Sequence, residues 1–502
     1  IVYLAVLVGL LVPMHFIGRP AARRAAGESV GSGYLARIRE ENKLTQSNLG
    51  EIDASSETMK LATLGLDNLA VSLLWSKAEH YKKVKDWDKL SEALNQIIKL
   101  QPNFVAVWKY QGWNLSYNVS VEFDDYRDRY AKVREGILFL KDGTRHNDKE
   151  PRLLTDVGWF TSSKIGRADE SRPFRKLFRA DKDFHADMPY RETDNWLAGR
   201  EWMVRAEELV ERDGLPVKGA SPTVFFVGAP MCMINFANDL EKDGGPDGRA
   251  VFGEVAKRAW TKALESWLQY GEREMTDTMG NQFRLIDFQR LAKDVDDVFA
   301  QIKAIEPGLY ETIVAEKRAT LTDEELKLAS GPVPTGPEAF EQNALQGKLR
   351  VGAADIINRL SGEDKEKGLE LQRQMANLGE KAVVTSRQCN IVNYESWQRR
   401  CEYEMTDDAV DAHRYIYEAE EADRVETNLR QAAEKYALGF EKWDTVFQKF
   451  PEERKDDIRL SELVESIDRY VVILKELNEE IPKDFPLQDI LDRAQQDPTL
   501  RQ

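Results

Sequence analysis

Between Asp67 and Tyr117, large and small residues recur in the phase of stacked helical hairpins. In a tetratricopeptide (TPR) repeat, roughly 34 residues form two antiparallel helices, with a small residue where they touch, bulky ones around it and a proline closing the second helix. Taking Pro102 as the closing proline puts Trp108, Gly112 and Leu115 on the aromatic, small and large positions of the next first helix, and Leu74, Ala78 and Tyr81 on those of the preceding one. Leu94 and Ile97 face inward from the helix between them, where apolar residues recur at three- and four-residue intervals. Gly112-Trp113 returns as Gly158-Trp159 after 46 residues. That is about twelve more than one standard repeat, and the surplus is expected between helices, around Val121–Tyr130. A residue without a side chain lets two helix backbones approach, and the adjacent tryptophan is expected to fill the neighbouring groove. Trp108, Tyr110, Trp113 and Tyr117 also admit reading as a sugar- or cation-binding cluster, but their helical spacing favours core packing.

A second constraint is the uncharged run Ile1–Gly18, IVYLAVLVGLLVPMHFIG. As a helix it would reach about 27 Å, close to the ~30 Å hydrocarbon core of a bilayer. We expect a transmembrane anchor over 1–18, weakened near Pro13, rather than a cleaved signal peptide, whose apolar stretch is usually about 7–15 residues long. No second run of this kind follows, so the chain reads as single-pass. Arg19, Arg23 and Arg24 would by themselves keep the following side in the cytoplasm.

The fold class expected is all-α: one N-terminal transmembrane helix, then a TPR-like helical-hairpin (α-solenoid) body with a C-terminal hairpin region. We divide it into a juxtamembrane segment 19–60, a TPR-like domain 61–241, a helical continuation 249–329, a linker 330–343 and a C-terminal helical domain 344–502. The breaks rest on Lys242-Asp-Gly-Gly-Pro-Asp-Gly248, read as a flexible loop, and Ser330-Gly-Pro-Val-Pro-Thr-Gly-Pro337, neither of which can continue a helix. Residues 356–388 have the spacing of a long, coiled-coil-like hairpin arm. Residues 407–423 and 427–450 pair as a second repeat-like hairpin, followed by Pro451. Ser221–Val227, β-branched and aromatic, reads as a short strand or extended loop.

Charge and motif content exclude more than they assign. Aspartate and glutamate outnumber lysine and arginine 87 to 71, a net charge of −16, which repels phosphate backbones, so no nucleic-acid partner is expected. No phosphate-cradling glycine loop and no HExxH occurs. The five histidines lack the i, i+3 or i, i+4 pairing that puts two ligands on one helix face. Met231-Cys232-Met233 offers soft ligands for copper(I), but sequence neighbours point in different directions and buried soft side chains are the default. Glu122, Asp124 and Asp125 lack EF-hand spacing. No catalytic residue, cofactor or metal site is expected. Cys389 and Cys401 would stand about 18 Å apart on a straight helix, whereas a disulfide needs about 7 Å. A bridge therefore requires a break, which Asn390–Asn393 offers; two separate buried thiols are the alternative.

The runs Leu61–Trp75 and Leu100–Tyr130 resemble a family of membrane-anchored helical proteins from planctomycete bacteria, often labelled "iron-responsive element protein". The likeness continues through Glu150-Pro-Arg-Leu-Leu154, Lys164-Ile-Gly-Arg-Ala-Asp169, Asp194-Asn-Trp-Leu197, Gly347-Lys-Leu-Arg-Val351 and Cys401-Glu-Tyr-Glu-Met-Thr-Asp-Asp408. It implies a single anchor in the cytoplasmic membrane and a large repeat-containing body in the cell envelope, on the periplasmic side. The family has no established activity, and no residue here is assigned as an iron ligand.

The expectation is a non-catalytic scaffold that binds protein partners, themselves membrane or envelope proteins, with side chains on the first helix of each hairpin. Lys77, His80, Lys109 and Asn114 are the candidate contacts. The alternatives are an accessory subunit of an envelope transporter or enzyme complex whose chemistry lies in other chains, and an enzyme whose site is assembled only by the fold.

Overall fold

The computed structural model describes residues 67–502, except 189, 190, 216, 218, 219, 246, 247, 333, 335 and 502, together with the short strands Ala22–Arg23 and Ser29–Val30. The expected anchor over 1–18 and most of the segment 19–60 lie outside the described residues. Among the described residues nearly everything ordered is helix; the strands form two antiparallel pairs of two-residue strands. Many helices begin where a short polar side chain can accept an otherwise unpaired backbone amide. Asp86, Asp125, Asp194, Thr406 and Asn428 do so, and Thr322 forms a reciprocal capping box with Glu325.

Helix α1 (Asp67–Lys83) packs on α2 (Trp87–Leu100). Next, α3 (Val105–Trp113) continues through a π-helical turn, Asn114–Val119, and packs on α4 (Tyr126–His146). Helix α5 (Pro151–Trp159) likewise runs into a π-helical turn, Phe160–Lys164, and is followed by α6 (Ser171–Ala180) and α7 (Lys182–Ala186). Helix α8 (Asn195–Asp213) then packs on α5. Leu74, Ala78, Leu94, Ile97, Trp108 and Leu115 are buried here, with Tyr81 packed at the edge. The Trp108 indole donates to the Pro102 carbonyl at 2.7 Å, so this proline anchors a core ring as well as following α2.

Two helix pairs meet backbone to backbone. A Cβ on Gly136 of α4 would lie 2.7 Å from the Gly112 carbonyl oxygen of α3. Added to Gly158 of α5 it would lie 2.7 Å from the Gly199 oxygen of α8, and added to Gly199, 2.6 Å from the Gly158 oxygen. No side chain fits at these crossings.

The chain forms two compact units. One comprises the described residues up to Ala220 with Gly228–Ala263 and Glu404–Gln502. Its C-terminal part holds the hairpin of Asp407–Arg424 and Leu429–Lys449, which buries Tyr436, Phe440, Val446 and Phe447. The other comprises Ser221–Val227 and Leu264–Tyr403. There Phe288–Lys303 packs along the 31-residue helix Gly362–Val392, and Ile302, Ile313, Ile356 and Ile357 share a core.

Several expectations change. The surplus in the longer repeat is not an insertion between helices: it lengthens them, α4 alone having 21 residues. Ser221–Val227 is neither strand nor loop, because Ser221 caps the short helix Pro222–Phe226 and proline suits a first turn. The stretch Pro222–Leu240 has the length and composition of a membrane-crossing helix, but about half of it is buried within the fold. The linker 330–343 is shorter than expected, since Pro337 opens the helix Pro337–Leu349 and the Gln342 amide donates to the Leu328 and Gly331 carbonyls at 2.8 and 2.9 Å. Residues 356–388 do not form a hairpin of their own, because the long helix finds its partner in Phe288–Lys303. The domain 344–502 is divided at residue 404.

The glycine crossings carry a stability prediction. Gly158→Ala and Gly199→Ala each gain up to about 1 kcal/mol of helix propensity, but the new methyl meets backbone that cannot retreat, at a cost of about 1–3 kcal/mol. Both variants should lower the urea midpoint. Gly347→Ala, with nothing within 4 Å of the new methyl, should raise it.

Candidate functional site

Burying Gly112 against α4 and Gly158 against α8 fixes where the next residue points. Successive helical side chains are separated by about 100°, so the tryptophan after each glycine is turned off the contact. Trp113 is 40% exposed and Trp159 50% exposed. Neither fills an inter-helix groove as expected. Of the four rings weighed as core or as a ligand cluster, Trp108 is core at 1% exposure, Tyr110 and Tyr117 are half-buried and packed against the same core, and Trp113 is exposed; the last three form a row at the edge of the core.

The row is continuous across three hairpins. Trp75 of α1 lies 6.0 Å from Tyr110 of α3, Tyr110 lies 6.3 Å from Trp113, and Trp113 stacks on Tyr117 at 6.2 Å and 20°. Tyr117 meets Phe160 edge-on at 5.5 Å, and its hydroxyl accepts a bond from the Trp159 indole. Burial raises the Tyr117 phenol above its ordinary value, partly offset by that bond.

Both π-helical turns lie directly after the Gly-Trp pairs. A π turn widens the helix by one residue and disturbs the i to i−4 ladder. Here side chains satisfy local carbonyls: Ser120 donates to Ser116 at 2.7 Å, Ser162 to Gly158 at 2.8 Å, and the Asn195 amide to Ser162 at 2.9 Å. This accounts for Ser120, Ser162 and Asn195 in a seam of buried polar residues inside an otherwise apolar packing; of the others, Asn114 accepts from the Asn118 amide and Ser116 donates to the Val133 carbonyl of α4.

Two ammonium groups lie on the row. Lys164 Nζ is 4.2 Å from the Tyr117 ring centroid and Lys82 Nζ 5.3 Å from that of Tyr110, within cation–π range. Burial lowers the Lys164 pKa, while Glu170 and Asp169 act against that shift. Among the described residues neither ammonium has a carboxylate within the 4.0 Å of an ion pair. Of the four contacts expected from sequence, Lys77 and His80 are exposed on α1. Lys109 is engaged with Asp156 of α5 at 2.8 Å; burial raises the Asp156 pKa, opposed by Lys109. Asn114 is wholly buried, bonded to Asn118 at 3.0 Å, and is thereby corrected from a surface contact to a packing residue.

A different cluster joins residues far apart in sequence. Ligand atoms of Glu241, Glu404 and His413 lie within 4.8 Å of one another. Glu404 and Glu241 are buried, at 2% and 6% exposure. His413 Nε2 is 2.8 Å from Glu404, and the Trp260 indole donates to Glu241 at 3.0 Å. One imidazole and two carboxylates suit a divalent transition metal; the same groups also pair with one another and with Trp260. His413 is thus not the isolated histidine its sequence position suggests.

The cysteines are free and buried. Asn393, at φ 50, does break the helix between Cys389 and Cys401, yet the candidate disulfide does not form, and the Cys389 thiol faces the Leu285 carbonyl at 3.5 Å. Cys232 lies 3.9 Å from the Met203 sulfur, so its soft partner is a distant methionine rather than Met231 or Met233. Burial pushes the Cys232 and Cys389 thiols up to about 12.

Comparison with protein-family models, curated proteins and solved structures finds no match to this chain.

A thiol raised to about 12 is protonated near neutrality and begins to ionise only in strong alkali. Native protein at pH 8 should therefore incorporate almost no iodoacetamide at Cys232 or Cys389, whereas urea-unfolded protein should label at all 3 cysteines without prior reduction. Mass spectrometry of the alkylated chain reads the difference, and a requirement for reductant would contradict the free thiols.

Proposed function

We propose that this chain is a membrane-anchored, non-catalytic scaffold of the bacterial cell envelope, binding a protein partner along the first helices of its N-terminal, TPR-like hairpins. The observation that carries the reading is the uninterrupted row of rings from half-buried Trp75 to buried Phe160, which spans three hairpins and leaves Trp113 and Trp159 about half exposed on it. Exposed aromatic rings on a rigid helical frame supply large contact area at low entropic cost, which is why they dominate binding hot spots. The anchor over 1–18 would tether the body to the cytoplasmic membrane, and the family resemblance supports a periplasmic body. In such a role the chain positions its partner and leaves turnover to other proteins.

The test is site-specific photo-crosslinking in the native membrane. A benzophenone amino acid placed at exposed Val121, four residues after Tyr117, should trap a discrete protein adduct identifiable by mass spectrometry. The same probe at Leu438, exposed on the C-terminal hairpin, serves as the control. Equal, unspecific labelling from both positions would remove the scaffold reading. Protease should digest the body in intact spheroplasts; protection until lysis would place it in the cytoplasm.

A further inference from the structure

We infer that the aromatic row is a binding site for an extended, proline-containing acidic peptide segment, held by contact with the exposed rings of Trp113 and Trp159 and by ion pairs to Lys82 and Lys164, which lie on the half-buried rings of Tyr110 and Tyr117. This rests on the scaffold reading and names the chemistry of the partner.

The charge argument is local. The three first helices with their extensions, residues 67–83, 105–122 and 151–164, carry six lysines and arginines against four aspartates and glutamates, on a chain of net charge −16. Lys109 is paired with Asp156, and Asp169 and Glu170 follow just beyond the third helix, so the charge argument rests on Lys82 and Lys164, the two ammonium groups that lie on the row itself. Lys82 and Lys164 lie against tyrosine faces without an ion-pair partner among the described residues, so a carboxylate arriving there gains an ion pair and need not displace an existing one. Two separate ammonium groups suit spaced carboxylates. A long polyanion gains little more from them and suffers the repulsion of the whole chain.

Shape points the same way. Neighbouring helices pack about 8–10 Å apart, so a row crossing three of them is roughly 20 Å long, the reach of about six extended residues. Aromatic-lined grooves take polyproline segments well, because the ligand is already extended and loses little entropy on binding. The π-helical turns hold the rings in place: Tyr117 lies within one and Phe160 and Lys164 bound the other.

The full chain, purified in mild detergent, is titrated against a fluorescein-labelled peptide of alternating proline and glutamate and against its proline–lysine counterpart, with fluorescence anisotropy as readout. Saturable binding of the glutamate peptide alone is expected, weakening as salt rises. Trp113→Ala and Trp159→Ala should each weaken it about tenfold or more. Lys164→Glu should abolish it while Lys164→Arg retains it, and unchanged thermal unfolding shows that the variants fold. The inference is overturned by no saturable binding, by equal binding of the lysine peptide, by unaltered affinity in the tryptophan variants, or by inorganic polyphosphate competing more strongly than the peptide. A protein adduct that still forms at Val121 in the Trp113→Ala, Trp159→Ala double variant would leave the scaffold standing and remove only this choice of ligand.

Discussion

The rest of the N-terminal architecture depends on two places where helix backbones touch. At Gly112–Gly136 and at Gly158–Gly199 a carbonyl oxygen occupies the volume that any side chain would need. Such contact fixes the rotation of each helix about its axis, because turning either one would drive a side chain into the crossing. Once rotation is fixed, the residue after the glycine has no choice of direction. Trp113 and Trp159 are therefore exposed by geometry, although each ring left half in water forgoes roughly 2–3 kcal/mol of burial. A folding requirement thereby generates the surface on which the functional reading rests.

The π-helical turns extend this logic. Trp113 and Tyr117, four residues apart, share a helix face, and the π turn that holds Tyr117 sets it against Phe160 and Trp159 of the next hairpin. The displaced carbonyls would cost about 1–3 kcal/mol each if buried without a donor. Ser120, Ser162 and Asn195 supply the donors, and so the polar seam and the aromatic row are two sides of one distortion.

What the sequence disclosed follows from the range of the interactions involved. Leu74, Ala78, Leu94, Ile97, Trp108 and Gly112 were legible because helical periodicity and a small-residue crossing leave a local pattern, and each is buried. The direction of Trp113 was not: the Gly-Trp pair was recognised as a packing device, but which of the two residues entered the contact depended on a helix crossing that periodicity does not encode. Asn114 misled for a related reason, since a polar residue at helical spacing reads as surface unless a π turn draws it inside. The Pro/Gly-rich run at 330–337 read as a flexible linker because composition marks where a helix stops, not how tightly the turn is held; Gln342, bonded to carbonyls across that turn, tightens it. Glu241, Glu404 and His413 left no local signal at all.

That last cluster also bears on how the chain is divided. The first unit is left after Ala263 and re-entered at Glu404, so most of the second unit, Leu264–Tyr403, is an insertion within it, joined by the short segment Ser221–Val227. Glu241 and Trp260 come from before the insertion, Glu404 and His413 from after it, and Lys257 pairs with Asp407 across the same seam at 2.7 Å. Burial of two carboxylates is costly unless polar partners accompany them. Here some of those partners come from the opposite side of the insertion, and the exposed Lys257–Asp407 pair adds little energy of its own. The polar contacts therefore select register, so that the C-terminal hairpin returns in one alignment only. A cut placed in the Pro/Gly segment at 331–336 would accordingly divide the inserted unit rather than separate two domains. A cut that removed the chain from Glu404 onward would take away the Glu404 and His413 side chains that lie against Glu241 and uncover part of the unit that carries the aromatic row.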